Sequence, residues 1–276
     1  MVLKFTNSGG IVQVISMMRV AKRILAIPTV APLRELKKRL DYYIAFKNFQ
    51  RMAEKTNNRF ALSAADAFPC LNDATDVPAF GEYFFHLAWA ARKIRDITPE
   101  KVYDFSSHTH FAGILSAFFP VVYHEFRHVE VRLDKLHTKS ADLCALTDID
   151  NNCLSCVTCM HVIEHIGLGR YGDPLDYDAD IKALEELKRI VAVGGDILLV
   201  IPVGNPARIE FNAHRIYDVA GVLASFSAGF SLEELSVCVH RPEGWQLKLH
   251  VAAQEVANEH YAVACLHLKK INLGKL

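Results

Sequence analysis

The stretch that decides the fold is Cys159-Met-His-Val-Ile-Glu-His-Ile-Gly-Leu-Gly-Arg-Tyr-Gly-Asp173. It follows an apolar run, Cys153 to Met160, and precedes a helical pattern that begins near Asp178. Open α/β sheets build ligand sites in this order: a strand end, polar groups, glycines and then a helix. The stretch holds two histidines, a glutamate, an arginine, an aspartate and three glycines, a mixture that neither a core nor a solvated loop needs. We therefore expect a ligand-binding edge here.

Strands and helices alternate on both sides of this stretch. The sequence predicts strands at 102–105, 121–125, 153–160 and 197–201, and a shorter strand end at 141–144. Helical patterns occupy 82–94, 112–118, 180–193 and 216–225, a loop is expected at 202–214, and two further strand-like runs are 232–240 and 261–271. Such alternation is typical of a parallel sheet with crossover helices. The last two runs can close the sheet as an antiparallel pair.

With this order established, the chain resembles a class I S-adenosylmethionine-dependent methyltransferase. More narrowly, His161–Asp173, the Lys188-Arg189 pair before Gly194-Gly195, and Phe211–Ile216 resemble an uncharacterised methyltransferase-like family. That family is known largely from bacteria, often beside surface-polysaccharide genes. The resemblance covers roughly residues 83–216. It implies an α/β, Rossmann-like domain at 80–276 with a mostly parallel sheet and an antiparallel last strand, preceded by an N-terminal helical extension at 1–79.

The resemblance places the cofactor, S-adenosylmethionine, at successive strand ends. In the family pattern, alternating glycines follow the acid of the first strand and let the backbone approach the ligand. Here Ser106 and His108 stand at those positions, so the glycine loop is degenerate. Glu125 matches the carboxylate that accepts both ribose hydroxyls, and Asp142 matches the acid that reaches the adenine amino group. The cofactor-binding residues predicted in this way are Asp104, Ser106, Glu125, Asp142, Leu143 and Met160.

Methyl transfer mainly requires alignment of the acceptor and removal of its proton. Histidine titrates near neutrality, which makes His161, His165 and His214 the candidate catalytic residues. The candidates for acceptor binding are Glu164, Arg170, Asp173, Asn212 and Arg215. The loops 161–173 and 211–215 follow strands that one helix connects. We therefore expect both loops to face each other across the pocket.

Two functions fit these residues. The first is S-adenosylmethionine-dependent methylation of a small polar acceptor, such as a sugar or glycan precursor in polysaccharide biosynthesis. The alternative is non-catalytic: a methyltransferase-like protein with a degenerate glycine loop that binds a ligand or protein partner. A measurement of cofactor binding would distinguish them.

A metal site is not expected, although the central stretch carries the His-x-x-Glu-His pattern of zinc peptidases at His161, Glu164 and His165. That zinc site needs a helix to bring its ligands together. Gly167 and Gly169 follow at once and leave little room for one.

The cysteines are expected to be reduced. Seven is an odd number, and a long chain without a secretory cleavage pattern is more often intracellular. Cys153, Cys156 and Cys159 resemble half of an iron–sulfur run. On a strand, however, Cys156 points away from the other two. We interpret the three as small buried apolar residues.

The charge balance argues against a nucleic-acid partner, because Lys+Arg and Asp+Glu both number 31. Only Met1–Arg51 is strongly basic, with ten Lys/Arg and two Asp/Glu. Within it, residues 11–27 are too short and too charged to span a bilayer. They suit either a basic amphipathic helix that touches anionic lipid weakly or a helix packed on the domain. A further helical pattern follows at 33–53, and a cytoplasmic location is expected.

Overall fold

The computed structural model describes residues 31–54, 69–71, 80–127 and 130–272. The chain divides into two units, residues 1–78 and 79–276. In the first unit, helix α1 spans Ala31–Glu54, close to the helix predicted at 33–53. The basic helix predicted at 11–27 lies outside the described residues. No helix within the described ranges is long and apolar enough to cross a membrane.

The second unit is built around a large β-sheet. Its strands are β1 Val102–Phe105, β2 Val121–Glu125, β3 Leu136–Ser140, β4 Leu154–Met160, β5 Val191–Val203, β6 Arg208–Glu210, β7 His214–Ile216, β8 Phe230–Arg241, β9 Gly244–Lys248 and β10 Ala262–Lys270. Eight of them form one sheet in the order β3-β2-β1-β4-β5-β10-β8-β9. The remaining two, β6 and β7, pair as a separate antiparallel ribbon.

The large sheet is parallel on one side and antiparallel on the other. Strands β3, β2, β1, β4 and β5 pair in parallel. Strand β10 lies between β5 and β8 and is antiparallel to both, and β9 extends β8 as a hairpin. This order confirms the predicted Rossmann-like methyltransferase fold with an antiparallel last strand. The hairpin partner β9 was not predicted.

Helices and apolar side chains cover both faces of the sheet. The helices of this unit are α2 Glu82–Ile97, α3 Thr109–Leu115, α4 Ala179–Ile190, α5 Val219–Phe226 and α6 Ala253–Val256. Neighbouring side chains of β4 belong to different apolar clusters: Cys159 packs in one and Met160 in the other. Burial on both faces explains why β5 reads as a continuous apolar run from Ile197 to Ile201.

Helix α2 is fixed to the sheet through a buried carboxylate on β8. Glu234 accepts hydrogen bonds from Trp89 Nε1 at 2.9 Å and from Ser236 at 2.5 Å, and it pairs with Lys93. Burial would raise the Glu234 pKa, but these donors outweigh it and lower the pKa to about 2. The anchor holds the first turns of α2, which carry Tyr83 and His86, in a fixed position.

Several element boundaries differ from the prediction, most of all the start of β5, which is Val191 where residue 197 was predicted. Residues 141–144, predicted as a strand end, are a loop. The strand in this region is β3, at 136–140, and its residues after Leu136 are polar and at most partly buried. Helix α4 ends at Ile190, where the carbonyls of Arg189 and Ile190 accept hydrogen bonds from the backbone of residues 152 and 153. The predicted loop at 202–214 contains the end of β5 and all of β6.

The cysteine positions follow the strand geometry. Cys156 and Cys159 are fully buried in different apolar clusters, on opposite sides of β4 as predicted. Cys153, in contrast, is exposed and precedes the strand, so its assignment as a buried residue was wrong. Three sulfurs in these positions cannot share one metal cluster.

Candidate functional site

A cavity of about 360 Å³ opens at the carboxyl edge of the parallel strands. Loops that follow β1, β2, β3 and β4 all contribute to it. Its wall consists of Tyr83, Ser106–His108, Glu125–Arg127, Ala141–Cys144, Met160–Val162, His165–Gly167, Tyr171, Asp173, Pro174, Asp176 and Ala179. Strand order reverses between β1 and β4, and open α/β sheets bind ligands at such a point.

The loop after β1 keeps the backbone of a glycine loop without its glycines. Ser106 lies in the left-handed region, with φ of +54°, where glycine is usually required. Its hydroxyl and its N–H both donate to the carbonyl of His124, at 2.9 and 2.8 Å, and so hold this turn against β2. His108 has an ordinary φ and caps helix α3 by accepting a hydrogen bond from the backbone of His110.

Asp104 supports this loop from behind and is not part of the cavity wall. Its side chain is fully buried; one oxygen accepts from Thr158 Oγ1 at 2.5 Å and the other from the N–H of Ser107 at 3.0 Å. Ser107 Oγ in turn accepts from the N–H of Met160 at 3.1 Å. Both Asp104 oxygens are therefore engaged within the protein, which differs from the direct cofactor contact predicted for this residue.

Burial raises the pKa of Asp104 to about 6, against the hydrogen bonds from Thr158 and Ser107. Between about pH 4 and 6 the folded chain therefore holds a proton that the unfolded chain has released. Its free energy of unfolding should fall by about 2–3 kcal/mol as pH rises through this window. We expect that loss in urea unfolding of the wild type but not of Asp104→Asn, which cannot titrate. A constant difference between the two proteins from pH 4 to 7 would contradict the raised pKa.

Carboxylates from the end of β2 and from the loop after β3 line the cavity. Glu125 closes β2; its oxygens contact Tyr123 Oη at 3.3 Å and the N–H of Arg127 at 3.2 Å, and its side chain is about one-fifth exposed. Asp142 accepts a hydrogen bond from the N–H of Cys144 at 2.9 Å. Leu143 and Met160, which were predicted to contact the cofactor, supply apolar surface to the same wall.

The glycines of the central stretch form a tight loop around Asp173. The Asp173 carboxylate accepts hydrogen bonds from the N–H groups of Gly167, Gly169 and Tyr171 at 2.7–3.3 Å. Burial acts to raise the Asp173 pKa, but these backbone donors outweigh it and lower the pKa. Asp173 lines the cavity, but its oxygens already organise the loop.

Two histidines of the same stretch meet around the buried carboxylate of Glu164. The described residues contain no group of three or more metal-ligating side chains that could hold an ion. Instead, Glu164 Oε1 contacts His161 Nδ1 at 2.7 Å and His165 Nε2 at 3.7 Å. Residues 163–165 form one short 3₁₀ turn, so the stretch lacks the helix that a zinc-peptidase site needs.

The tautomers of both rings follow from their neighbours. Nδ1 of His165 lies 2.7 Å from the carbonyl oxygen of Ala213, which can only accept, so Nδ1 carries the proton and Nε2 has a free lone pair. Burial lowers the pKa of His165, which favours this neutral form. Nδ1 of His161 donates to Glu164 in the same way, but Nε2 of His161 is buried and without a partner.

The loop at 211–215 contacts the central stretch directly, whereas the two loops were predicted to face each other across the pocket. Ala213 provides the carbonyl that also accepts from Arg170 Nη1, at 3.1 Å. His214 lies one ring beyond His165, with 6.2 Å between centroids, and near Glu210 at 3.6 Å. Asn212 is exposed. These positions are outside the cavity wall but on its side of the sheet.

Arg215 differs most from its predicted role. Its side chain is only 6% exposed, and its guanidinium donates to the carbonyls of Ile166 at 2.5 Å and Tyr177 at 3.0 Å. It also lies 3.5 Å from Asp180. These contacts use the guanidinium N–H groups of Arg215 that were predicted to bind the methyl acceptor. Arg215 therefore clamps the loop between β4 and α4 in place.

Sequence reasoning left an aromatic layer out of the assigned site. The Tyr83 ring stacks on His161 at 5.0 Å, and His86 lies 4.9 Å from the same ring. Opposite them, Arg127 and Arg170 flank the Tyr171 ring at 4.7 and 5.1 Å. The only signal for Tyr83 and His86 was their place on the helix before β1, which is equally typical of packing.

The charges of the cavity wall are mostly negative. Four carboxylates line it, from Glu125, Asp142, Asp173 and Asp176, against one guanidinium, from Arg127. Such a surface repels the pyrophosphate of a dinucleotide and favours a ligand with positive charge.

The strand order and the site at the carboxyl edge define the class I methyltransferase-like fold. The chain belongs to the family described as "Caenorhabditis protein of unknown function, DUF268", whose model matches residues 133–271, half of the chain. The match includes both loops of the site. Its description names Caenorhabditis, so the bacterial association and the polysaccharide genes stay predictions.

Several solved structures of low identity with a similar fold are described as methyltransferases. One is the Burkholderia thailandensis 1,6-didemethyltoxoflavin-N1-methyltransferase with 1,6-didemethyltoxoflavin and S-adenosylhomocysteine: 14% identity, TM-score 0.46, 75% of this chain and 100% of that chain. Another is the Haemonchus contortus phosphoethanolamine N-methyltransferase 1 with phosphoethanolamine and S-adenosylhomocysteine. It has 13% identity and a TM-score of 0.45, and the match covers 70% of this chain and 44% of that chain. A third is a TehB-like S-adenosylmethionine-dependent methyltransferase from Corynebacterium glutamicum. It has 17% identity and a TM-score of 0.40, and the match covers 68% of this chain and 95% of that chain. No curated protein sequence matches the chain significantly.

Proposed function

We propose that the protein is an S-adenosylmethionine-dependent methyltransferase that acts on a small polar acceptor. The observation that carries the proposal is an acidic cavity at the switch point of the sheet, with Glu125 at the end of β2. A carboxylate there can accept both hydroxyls of a ribose, and the excess of negative charge suits a cofactor with a sulfonium and an ammonium group. These residues fit the cofactor that the fold implies.

Each strand end then has a part in binding. Glu125 would hold the ribose, and Asp142 with Leu143 the adenine. Met160 would pack against the apolar part of the cofactor, and Ser106 would shape the turn over which it lies. Asp104, which is bonded to Thr158 and Ser107, acts indirectly by supporting that turn.

His165 is the proton acceptor that the geometry favours. S-adenosylmethionine supplies an activated methyl group, which leaves the protein to orient the acceptor and to remove its proton. His165 lines the cavity with a free Nε2, and Glu164 lies 3.7 Å away, where it stabilises the imidazolium that forms. His161 Nε2 faces away from solvent, so we assign His161 to positioning.

The acceptor would enter between the central stretch and the loop at 211–215. His214, Arg170 and Asn212 border that entrance, and hydrogen-bonding groups of this kind suit a sugar or glycan precursor. The proposal also includes the acceptor class and a place in polysaccharide biosynthesis. It further includes a cytoplasmic location and a weak lipid contact of the N-terminal region.

A non-catalytic role is the second candidate, and the loop after β1 favours it. Ser106 and His108 add side chains where this fold usually has none, and the His108 ring lines the cavity. A chain that no longer admits the cofactor would keep the fold and bind another ligand or partner.

Cofactor titration of Glu125→Ala tests the proposal. Wild type should bind S-adenosylhomocysteine in isothermal calorimetry, and Glu125→Ala should weaken binding about 10- to 100-fold, because a charge-assisted bidentate contact is lost. The control is Glu233→Ala, which removes an exposed carboxylate on β8 that does not line the cavity. Its affinity should equal that of the wild type.

Two outcomes would count against the proposal. Absence of binding to the wild type at millimolar S-adenosylhomocysteine would reject the methyltransferase function and favour the non-catalytic one. Equal affinity in wild type and Glu125→Ala would leave cofactor binding intact but remove Glu125 as the ribose ligand.

A further inference from the structure

Glu164 is a buried carboxylate that pairs with no lysine or arginine in the part of the chain that the structure describes. Its side chain has no exposed surface, and Oε2 has no hydrogen-bond partner. Its contacts with ionisable groups are those with His161 and His165, at 2.7 and 3.7 Å. A buried charge is costly unless a compensating charge lies near it.

Burial disfavours a positive charge on two of the neighbouring rings, His86 and His165. His86 is fully buried against His161; burial, and then the nearby His161 and His108, lower its pKa to about 2, so the ring is neutral. Burial lowers the pKa of His165 as well. His161 Nδ1 lies 2.7 Å from Glu164 Oε1 and satisfies that oxygen with a hydrogen bond.

The charge of Glu164 reaches the cavity. The rings of His161 and His165 form part of the cavity wall, and the carboxylate lies directly behind both. Burial and then Glu164 raise the pKa of Tyr83, which lines the cavity, to about 12. A sphere with the volume of this cavity is about 9 Å across, close to one Debye length, so salt screens a charge at the cavity wall only in part.

We propose that Glu164 is the counter-charge for the sulfonium of S-adenosylmethionine and selects the charged cofactor over its uncharged product. This inference rests on the proposed function. S-adenosylmethionine and S-adenosylhomocysteine differ by one methyl group and one positive charge, so a fixed negative charge distinguishes them even without contact. Loss of the methyl group would leave a neutral thioether, and His165 would hold the proton of the acceptor. The attraction to Glu164 then ends, which favours product release.

The experiment is a calorimetric comparison of both ligands on wild type, Glu164→Gln and Glu210→Gln. Glutamine has nearly the same shape and can still accept the hydrogen bond from His161. We expect Glu164→Gln to lose roughly tenfold in affinity for S-adenosylmethionine and to keep its affinity for S-adenosylhomocysteine within about twofold. Glu210→Gln is the matched control, since Glu210 also lies near a histidine, His214, but is half-exposed and outside the cavity wall.

The outcomes separate the two proposals. Equal weakening of both ligands in Glu164→Gln would mean that Glu164 only shapes the cavity, which overturns this inference and leaves the methyltransferase proposal intact. If the wild type binds neither S-adenosylmethionine nor S-adenosylhomocysteine, the methyltransferase proposal itself is overturned. If Glu164→Gln does not fold, the wild type decides: it should prefer S-adenosylmethionine, and equal affinity for both ligands would contradict the counter-charge.

Discussion

Arg215→Met is expected to destabilise the folded chain by about 3–5 kcal/mol, the cost of breaking a buried, hydrogen-bonded ion pair. The Arg215 guanidinium donates to the carbonyls of Ile166 and Tyr177 and lies beside Asp180. Methionine fills most of the side-chain volume but donates nothing. The two carbonyls then lose this donor, and Asp180 keeps its hydrogen bond from Tyr217 Oη but loses its cationic partner. Urea unfolding followed by the fluorescence of the two tryptophans would measure the loss.

Arg170→Met is the matched control for this prediction. Arg170 lies on the same loop system and donates one hydrogen bond, to the Ala213 carbonyl, but its side chain is exposed. An exposed contact of this kind contributes about 1 kcal/mol or less. Equal stability losses in the two variants would contradict the clamp. A stable Arg215→Met protein that binds cofactor normally would restore the acceptor-binding role predicted from the sequence.

The parallel half of the sheet could be predicted because its signals are local. Strands β1 and β2 are short apolar runs between polar segments, and their predicted bounds equal the observed ones. Strand β3 was misplaced by several residues. Its side chains beyond Leu136 are polar, since the strand lies at the edge of the sheet, so neither alternation nor an apolar run marks it.

The site could be located from the sequence, but the tasks of its residues could not. Strand order places the ends of β1, β2 and β4 at one edge, whatever their side chains do. Whether an arginine meets an acceptor or three backbone groups depends on packing between distant segments. Arg215 and Ile166 are far apart in the chain, and so are Tyr83 on α2 and His161 after β4.

The use of Glu164 could not be predicted from the sequence either. The sequence marks it as one acid between two histidines, a pattern that suits a metal, an acceptor or a base. Burial separates these uses, because a carboxylate without solvent contact cannot bind an acceptor directly, and the role that we propose for Glu164 is through its charge. Functional residues that act at a distance leave no spacing in the sequence by which to recognise them.

Gly167→Ala is expected to destabilise the chain by more than about 4 kcal/mol, or to prevent folding, whereas Gly172→Ala should cost about 1–2 kcal/mol. Both glycines have a positive φ, +79° and +85°, so both variants bear the same left-handed strain. They differ in their surroundings. A Cβ on Gly167 would lie 2.1 Å from the carbonyl oxygen of Asp176, and one on Gly172 would meet nothing within 4 Å.

The difference in unfolding free energy between the two alanine variants therefore measures the cost of the steric overlap between the loop and the segment before α4. Asp176 cannot retreat easily, because the N–H of residue 176 donates to the carbonyl of Gly167 at 3.0 Å and Arg215 bonds to the neighbouring carbonyl of Tyr177. Relief of the overlap would have to open the wall of the cavity as well. We expect Gly167→Ala, if it folds, to lose S-adenosylhomocysteine binding in the same calorimetric titration, while Gly172→Ala keeps it. Equal unfolding free energies for the two variants would show that backbone conformation alone makes Gly167 necessary, and that the loop can move away from α4 at little cost.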